Sequence, residues 1–340
     1  MPERMNRRIV LAARPTGMVA ESNFRFEEVP VAEPRHGEVL VRGIYLSLDP
    51  YMRGRMRDAP SYAPPVQLGE VMVGGLVGEV MASRNEDFAV GDIVEERLGW
   101  QSYAISNGRK LRKIDPKLAP ICTANGVLGM TGLTAYFGLL DVAGPKPGET
   151  VAVSAASGAV GAAVGQLARI AGCRVVGLAG SDAKVDYVLR ELGFDAAINY
   201  RKEKDLDAAL ARACPDGIDV YFDNVGGAIY DAVTRQLNMW ARIAVCGSIS
   251  QYNLAKPELA PYNTSFLVGK RVRQQGFIVW DFENRWGAAL RHMGGWYRSG
   301  RLKEKQDIVQ GLENAPKAFT RLFKGENFGK LQVQIGPEPK

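Results

Sequence analysis

Val151-Ala152-Val153-Ser154-Ala155-Ala156-Ser157-Gly158-Ala159-Val160-Gly161 runs from a short apolar stretch straight into a glycine-bearing turn. Val151–Ala155 is small and β-branched, as a strand buried on both faces of a parallel sheet requires. A helix over Ala159–Ala171 follows the turn. Between such a strand and helix, Gly158 permits a tight turn whose backbone approaches a pyrophosphate, and Gly161 lets the helix pack against the sheet. The helix start then offers unpaired N–H groups and a partial positive charge to an anion. Gly158, Ala159, Val160 and Gly161 are therefore the candidate phosphate contacts. Counted from Ala155 the turn reads AxxGxxG, with alanine where a first glycine is usual. A bare GxxG is a weak signal, and its competing reading is a tight turn without a ligand. The strand before it, the helix after it and a second strand at the right distance make it specific for a dinucleotide.

Outward from this turn the chain keeps one rhythm. Strands are expected over Arg174–Leu178, Ala196–Tyr200, Ile218–Asp223 and Ala241–Cys246, with helices over Asp182–Leu192, Leu206–Ala213 and Tyr230–Leu237. Gly193 closes the first of these helices as a C′ residue. Such alternation implies a doubly wound parallel sheet with helices on both faces. A strand near Gln275–Val279 and an aromatic-rich helix over Glu283–Ser299 complete this part.

The first third has a different texture. Arg8–Leu11, Glu38–Leu46, Val71–Met81 and Ile93–Glu96 are short apolar runs separated by Gly, Pro and Asp turns, which suggests a small barrel. Leu128, Leu133, Tyr136, Phe137 and Leu140 recur at helical spacing within Asn125–Ala143, before Gly144-Pro145-Lys146-Pro147-Gly148 breaks the chain. A helix over Asn314–Lys324 and a strand over Gly329–Ile335 end the sequence and return to the first domain. The expected division is residues 1–125 with 303–340, and residues 126–302.

The totals narrow the function. The formal charge of +6 over 340 residues is a mild excess. The densest basic stretch, Lys270-Arg271-Val272-Arg273, alternates with apolar sequence and reads as the start of a strand. Neither nucleic acid nor a membrane surface is an expected partner. No apolar run approaches the roughly 20 residues of a membrane span, and Met1-Pro2-Glu3-Arg4 has no apolar run behind it, so no signal peptide is expected. Cys122, Cys173, Cys214 and Cys246 are far apart and read as reduced thiols of a cytoplasmic protein.

Two absences shape the chemistry. A carboxylate at the end of the second strand would bind the ribose hydroxyls of NAD. Here the chain reads Ala179-Gly180-Ser181, with Asp182 one step beyond as a helix-capping candidate. Lys184 in the next helical turn and Tyr200 at the end of the third strand suit a 2′-phosphate, so NADP(H) is the expected cofactor. The alternative for Lys184 is a solvated helix residue. A catalytic zinc needs three ligands, usually Cys and His. The chain has only His36 and His292, read as surface or packing residues, and one cysteine before residue 170. Gly69-Glu70 lacks the histidine of the Gly-His-Glu found in zinc alcohol dehydrogenases. A developing oxyanion must then be met by another donor, and Tyr51, Tyr62 and Tyr252 are the candidates. Each is equally compatible with a wall of an apolar pocket.

LSLDPYMRGRM (Leu46–Met56), YAPPVQLGEVMVGG (Tyr62–Gly75), ASGAVG (Ala156–Gly161), GSDAKV (Gly180–Val185), LGFDAAINY (Leu192–Tyr200), DNVGG (Asp223–Gly227), CGSISQYN (Cys246–Asn253), GFIV (Gly276–Val279) and ENFGK (Glu326–Lys330) occur in order. They span nearly the whole chain. With them the chain resembles the zinc-independent leukotriene B4 12-hydroxydehydrogenase / prostaglandin reductase family of medium-chain dehydrogenase/reductases, most of all its bacterial NADPH-dependent curcumin reductase branch. The resemblance implies an α/β fold, a GroES-like β-barrel domain plus a Rossmann doubly wound parallel-sheet domain. It implies NADPH-dependent reduction of the C=C bond of α,β-unsaturated ketones and aldehydes, by hydride transfer to the β-carbon and protonation of the enolate. It places cofactor contacts on Gly158, Ala159, Val160, Gly161, Lys184, Tyr200, Asn224, Cys246, Gly247, Ser248, Ile249, Ser250, Tyr252, Phe277, Ile278, Val279 and Asn327. It also implies a homodimer through the nucleotide-binding domains. Some eukaryotic members carry a substrate-facing tyrosine several residues before the GFIV-like strand. Here that position falls near Gly269, so a proton donor must come from Tyr51, Tyr62, Tyr252, the nicotinamide ribose or water. A quinone reductase and a non-catalytic NADPH-binding protein are the alternatives. Pocket shape depends on loops near Arg55–Ala63 and Gln251–Phe266.

Overall fold

The structure, a computed structural model, describes residues 4–256, 258 and 264–339. Part of the expected pocket loop over Gln251–Phe266 and the first three residues of the N-terminal stretch lie outside these. The chain forms two compact units, one of Met1–Gly126, Asn253–Ala255 and Gln306–Lys340, the other of Val127–Tyr252 and Lys256–Lys305.

The first unit opens with β1 (Met5–Leu11) and β2 (Phe24–Pro30), an antiparallel ribbon. Then come β3 (Val39–Ser47), α1 (Tyr51–Arg55), β4 (Leu76–Ser83), β5 (Ile93–Glu96), β6 (Tyr103–Ser106) and β7 (Arg112–Lys113). β3 organises the sheet. One edge pairs with β4, and the other is divided between β6 at Val39–Arg42 and the last strand of the chain at Tyr45–Ser47. The pairing with β4 is interrupted by bulges at Leu40/Val41 and Gly43/Tyr45, the second of them level with the place where the other edge passes from β6 to the last strand.

The second unit starts with α2 (Met130–Phe137). The single helix expected over Asn125–Ala143 is broken into a 3-10 turn at Ile121–Asn125, α2, and a π turn at Gly138–Ala143. Glycine permits the close approach at the start of α2. A Cβ on Gly132 would stand 1.9 Å from the Val127 carbonyl oxygen, so the chain folds back onto the helix there. β8 (Thr150–Ser154), α3 (Ala159–Ile170), β9 (Arg174–Ala179), α4 (Asp182–Arg190), β10 (Ala196–Asn199), α5 (Leu206–Ala213), β11 (Ile218–Asp223), α6 (Gly227–Arg235), β12 (Leu237–Val245), α7 (Ser265–Gly269), β13 (Arg273–Gly276) and α8 (Trp286–Arg298) follow. The six strands are all parallel, in the order β10-β9-β8-β11-β12-β13. Counted from β8 this is 3-2-1-4-5-6, the dinucleotide-binding order, with its switch point between β8 and β11. Every residue of β8 is buried.

Strands in both units differ from the sequence reading, and in the first β4 lies at Leu76–Ser83 rather than Val71–Met81. β13 lies at Arg273–Gly276 rather than Gln275–Val279, because apolar Phe277–Val279 leave the sheet and enter a 3-10 turn. β12 starts four residues earlier than expected, at Leu237.

The chain closes with β14 (Gln306–Gln310), α9 (Ala315–Lys324) and β15 (Lys330–Gln334). β15 joins β3 antiparallel and β14 parallel, which is the return to the first unit expected for the C-terminal strand. α9 buries Ala315, Ala318, Phe319 and Leu322 in that unit's core. There Trp100 stacks on Phe24 at 5.2 Å and meets Phe319 edge-on at 5.6 Å.

Candidate functional site

The turn after β8 begins at Ala155, the residue that occupies the usual first glycine's place. Its φ is +51°, so it bends the chain in the left-handed region despite its side chain. A Cβ on Gly161 would stand 2.4 Å from the Ala155 carbonyl oxygen, so helix and turn are in backbone contact there. Gly158 caps α3 and supplies no side-chain acceptor. The first amide of this helix with a backbone acceptor is that of Ala162, bonded to the Gly158 carbonyl at 2.9 Å. The preceding amides, of Ala159, Val160 and Gly161, precede the helix's own ladder and have no acceptor among the described residues, which leaves them to an outside acceptor. This donor set fits a pyrophosphate.

Across the switch point stands Asp223, buried at the end of β11. Its Oδ1 accepts from the Tyr221 hydroxyl at 2.7 Å, the Ser154 hydroxyl at 3.1 Å, and the amides of Val225 and Gly226 at 3.0 Å each. The Asn224 amide donates to Ser154 Oγ at 2.8 Å, and its side chain donates to the Ser154 carbonyl at 2.8 Å. This network ties the end of β8 to the Asn224–Gly227 turn. Asp223 and Ser154 do not stand out in the sequence, because a D-N-V-G-G string does not reveal which strand its carboxylate meets.

The segment Cys246–Tyr252 leaves β12 and crosses the end of β11. Cys246 and Gly247 donate to the Asp223 carbonyl at 2.8 and 3.2 Å, and Ile249 and Ser250 donate to the Asn224 and Val225 carbonyls at 3.2 Å each. The Tyr252 hydroxyl folds back on the same segment and accepts from the Ser248 amide at 3.3 Å. A Cβ on Gly247 would stand 2.7 Å from that hydroxyl, so the glycine makes room for it. Burial, and then Asp223, push the Cys246 thiol up to about 12, so it stays protonated. After β13, Phe277 packs edge-on against Phe222 at 6.1 Å and fills the space above Gly138. Val279 is buried and Ile278 half-buried.

The corner after β9 carries the residues expected for a 2′-phosphate. Ser181 caps α4, its hydroxyl accepting from the Lys184 amide at 3.4 Å. The Tyr200 amide donates to the Ala179 carbonyl at 3.1 Å, which places Tyr200 beside the end of β9.

Tyr51, Tyr62 and Asn327 belong to the first unit. Tyr51 opens α1, and burial, then Asp49, push its hydroxyl well above the ordinary tyrosine value. Tyr62 lies exposed in the loop beyond that helix. Asn327 lies between α9 and β15, its side chain donating to the Gly329 carbonyl at 3.2 Å. A fully buried ion pair joins these two segments. Lys330 Nζ donates to Asp49 Oδ1 and to Ser47 Oγ, each at 2.6 Å, and Ser47 Oγ donates to Asp49 Oδ2. His36 is exposed, and His292 is exposed with its Nδ1 2.9 Å from the Tyr136 hydroxyl.

Comparison with known proteins agrees with this architecture. A family described as the N-terminal domain of oxidoreductase matches residues 7–114, and one described as zinc-binding dehydrogenase matches residues 159–294. The NADPH-dependent curcumin reductase of Escherichia coli (strain K12) is 48% identical over 335 residues, covering 97% of each chain. Prostaglandin reductase 1 of Rattus norvegicus is 44% identical over 323 residues, covering 94% of this chain and 95% of that one. A crystal structure of CurA in complex with NADPH from Vibrio vulnificus superposes with a TM-score of 0.93 at 47% identity, over 98% of this chain and all of that one. The chain belongs to the medium-chain dehydrogenase/reductase family, in its zinc-independent prostaglandin reductase branch.

Proposed function

We propose that the protein is an NADPH-dependent reductase of the C=C bond of α,β-unsaturated ketones and aldehydes. One observation carries the reading: a dinucleotide-order sheet whose phosphate turn has uncapped amides, in a chain 48% identical to a curcumin reductase that uses NADPH. The cofactor contacts are Gly158–Gly161, Lys184, Tyr200, Asn224, Cys246–Ser250, Tyr252, Phe277–Val279 and Asn327. Bound NADPH supplies the hydride that the β-carbon receives. The chain's own task is the oxygen end of the substrate. A hydroxyl of Tyr51, Tyr62 or Tyr252 donates to the enolate oxygen and stabilises its charge. Tyr252 accepts from the Ser248 amide, which seats its hydroxyl on the Cys246–Tyr252 segment. The elevated Tyr51 hydroxyl stays protonated.

The test is a pair of assays with purified protein. NADPH absorbance should fall with a phenylbutenone, and the product should be the saturated ketone with its carbonyl intact. Turnover of quinones with no turnover of enones would overturn the reading, as would NADPH binding without turnover of either.

The reading includes a cytoplasmic homodimer. Four free cysteines, three of them buried, fit a reducing compartment. β13 is the terminal strand of its sheet and all four of its residues are exposed. Beside it lie exposed Met239, Trp240 and Val268, with the Trp240 amide donating to the Lys270 carbonyl at 2.7 Å. An open edge flanked by apolar side chains favours pairing with a second copy.

A further inference from the structure

The corner after β9 holds two cations, Arg201 and Lys202, that have no part in the proposed function as stated, and any role for them in cofactor choice rests on that function. A Cβ on Gly180 would stand 3.0 Å from the Tyr200 hydroxyl and 3.3 Å from Arg201 Nε. Both groups therefore converge over a backbone position that has no side chain, at the strand end where an NAD-binding protein carries its acid. The Arg201 amide is held by Asn199 Oδ1 at 3.2 Å and the Lys202 amide by the Asn199 carbonyl at 3.0 Å, so the turn that presents them is fixed.

Asp182, the first residue of α4, lies beside this corner. Lys202 Nζ forms an ion pair with its Oδ2, and Asn199 Nδ2 donates to its Oδ1 at 2.6 Å. Lys202, and then Asn199, hold the Asp182 carboxyl below the usual carboxylate range. Both partners of the ion pair are largely exposed, 68% for Lys202 and 60% for Asp182. Pairs of that kind contribute little to stability. The effect of this one is on local charge: it cancels a carboxylate that would otherwise face an incoming phosphate. Glu203, the next acid, is in turn paired with Arg212 at 3.4 Å.

We propose that Arg201 and Lys202 set the preference for NADPH over NADH, Arg201 as a second cation on the 2′-phosphate beside Lys184, and Lys202 by neutralising Asp182. Guanidinium suits this place because its planar donors match phosphate oxygens, and the missing side chain of Gly180 leaves it room to lie close to the backbone.

Calorimetric titration of the full-length protein with NADP⁺ and with NAD⁺ reads this without turnover. Arg201→Ala should weaken NADP⁺ roughly tenfold, as loss of one charged hydrogen bond would, and leave NAD⁺ unchanged. Lys202→Met should weaken NADP⁺ about threefold, the scale of one screened charge. Adding Asp182→Asn to Lys202→Met should restore it, with thermal melting of the apo variants unchanged. Equal weakening of both nucleotides by Arg201→Ala, or a Lys202→Met variant with the wild-type ratio, would overturn the proposal while the NADPH reading stands. A wild-type protein that binds both nucleotides alike would instead overturn that reading itself.

Discussion

Lys184 stands in the first turn of α4, where its amide is tied to Ser181 and its backbone is fixed at the corner after β9. Replacing it with alanine removes a cation and leaves the cap intact. The KM for NADPH should rise about tenfold, the scale of a charged contact to phosphate, and that for NADH should stay within twofold. Equal changes in steady-state assays would return Lys184 to the role of a solvated helix residue. The tyrosines separate in the same way. Tyr252→Phe keeps the ring and removes the hydroxyl that Ser248 holds, so kcat should fall while NADPH affinity changes little. An unchanged kcat, with a fall in Tyr51→Phe, would move the donor role to Tyr51. Tyr51 also makes a pH prediction. Its elevated value means that the neutral, donating form persists above the point where an ordinary phenol (about 10) ionises. If it is the donor, kcat should stay level from pH 8 to pH 10. A decline with a midpoint near pH 9 would contradict that role.

Among the elements, β8, α3, β9, β10, α5 and β11 were legible because each has one dominant pattern: a short buried apolar run, or a helix between recognisable ends. β13 was misplaced for a physical reason. An edge strand exposes its side chains, so Arg273-Gln274-Gln275 carry no apolar signal, whereas Phe277–Val279 just beyond them do. The break between α2 and its π turn was illegible because it depends on what approaches Gly132 and Gly138 from elsewhere in the fold. The Lys330–Asp49–Ser47 cluster was hidden in the same way, since its members are nearly three hundred positions apart. It pins β15, and with it the Asn327 loop, to the segment that leads into Tyr51. Lys330→Met leaves the Asp49 carboxylate buried without a cation and should cost about 3–5 kcal/mol in denaturant unfolding. The double variant with Asp49→Asn should lose much less. A single variant as stable as wild type would show that water, rather than Lys330, satisfies Asp49.

For the whole molecule, the phosphate turn and the missing acid after β9 were readable from residue types alone, and the ordered motifs supplied the family. The charge arrangement at the corner after β9 was not readable. Asp182 looks like a repelling acid in one dimension, and only the fold brings Lys202 and Asn199 onto it. Assembly is a property of this scale too. Light scattering of the purified protein should give twice the chain mass, and Met239→Asp with Val268→Asp should give a monomer, because both place charge beside the exposed edge of β13. A monomeric wild type would contradict the dimer. The central claim is hydride delivery to the β-carbon rather than to the carbonyl carbon. Its most direct test is the reduction of a phenylbutenone with NADPH deuterated at the nicotinamide C4, with the product analysed by NMR. The expected product is a saturated ketone carrying deuterium at the β-carbon. Deuterium on the carbinol carbon of an allylic alcohol would contradict the claim.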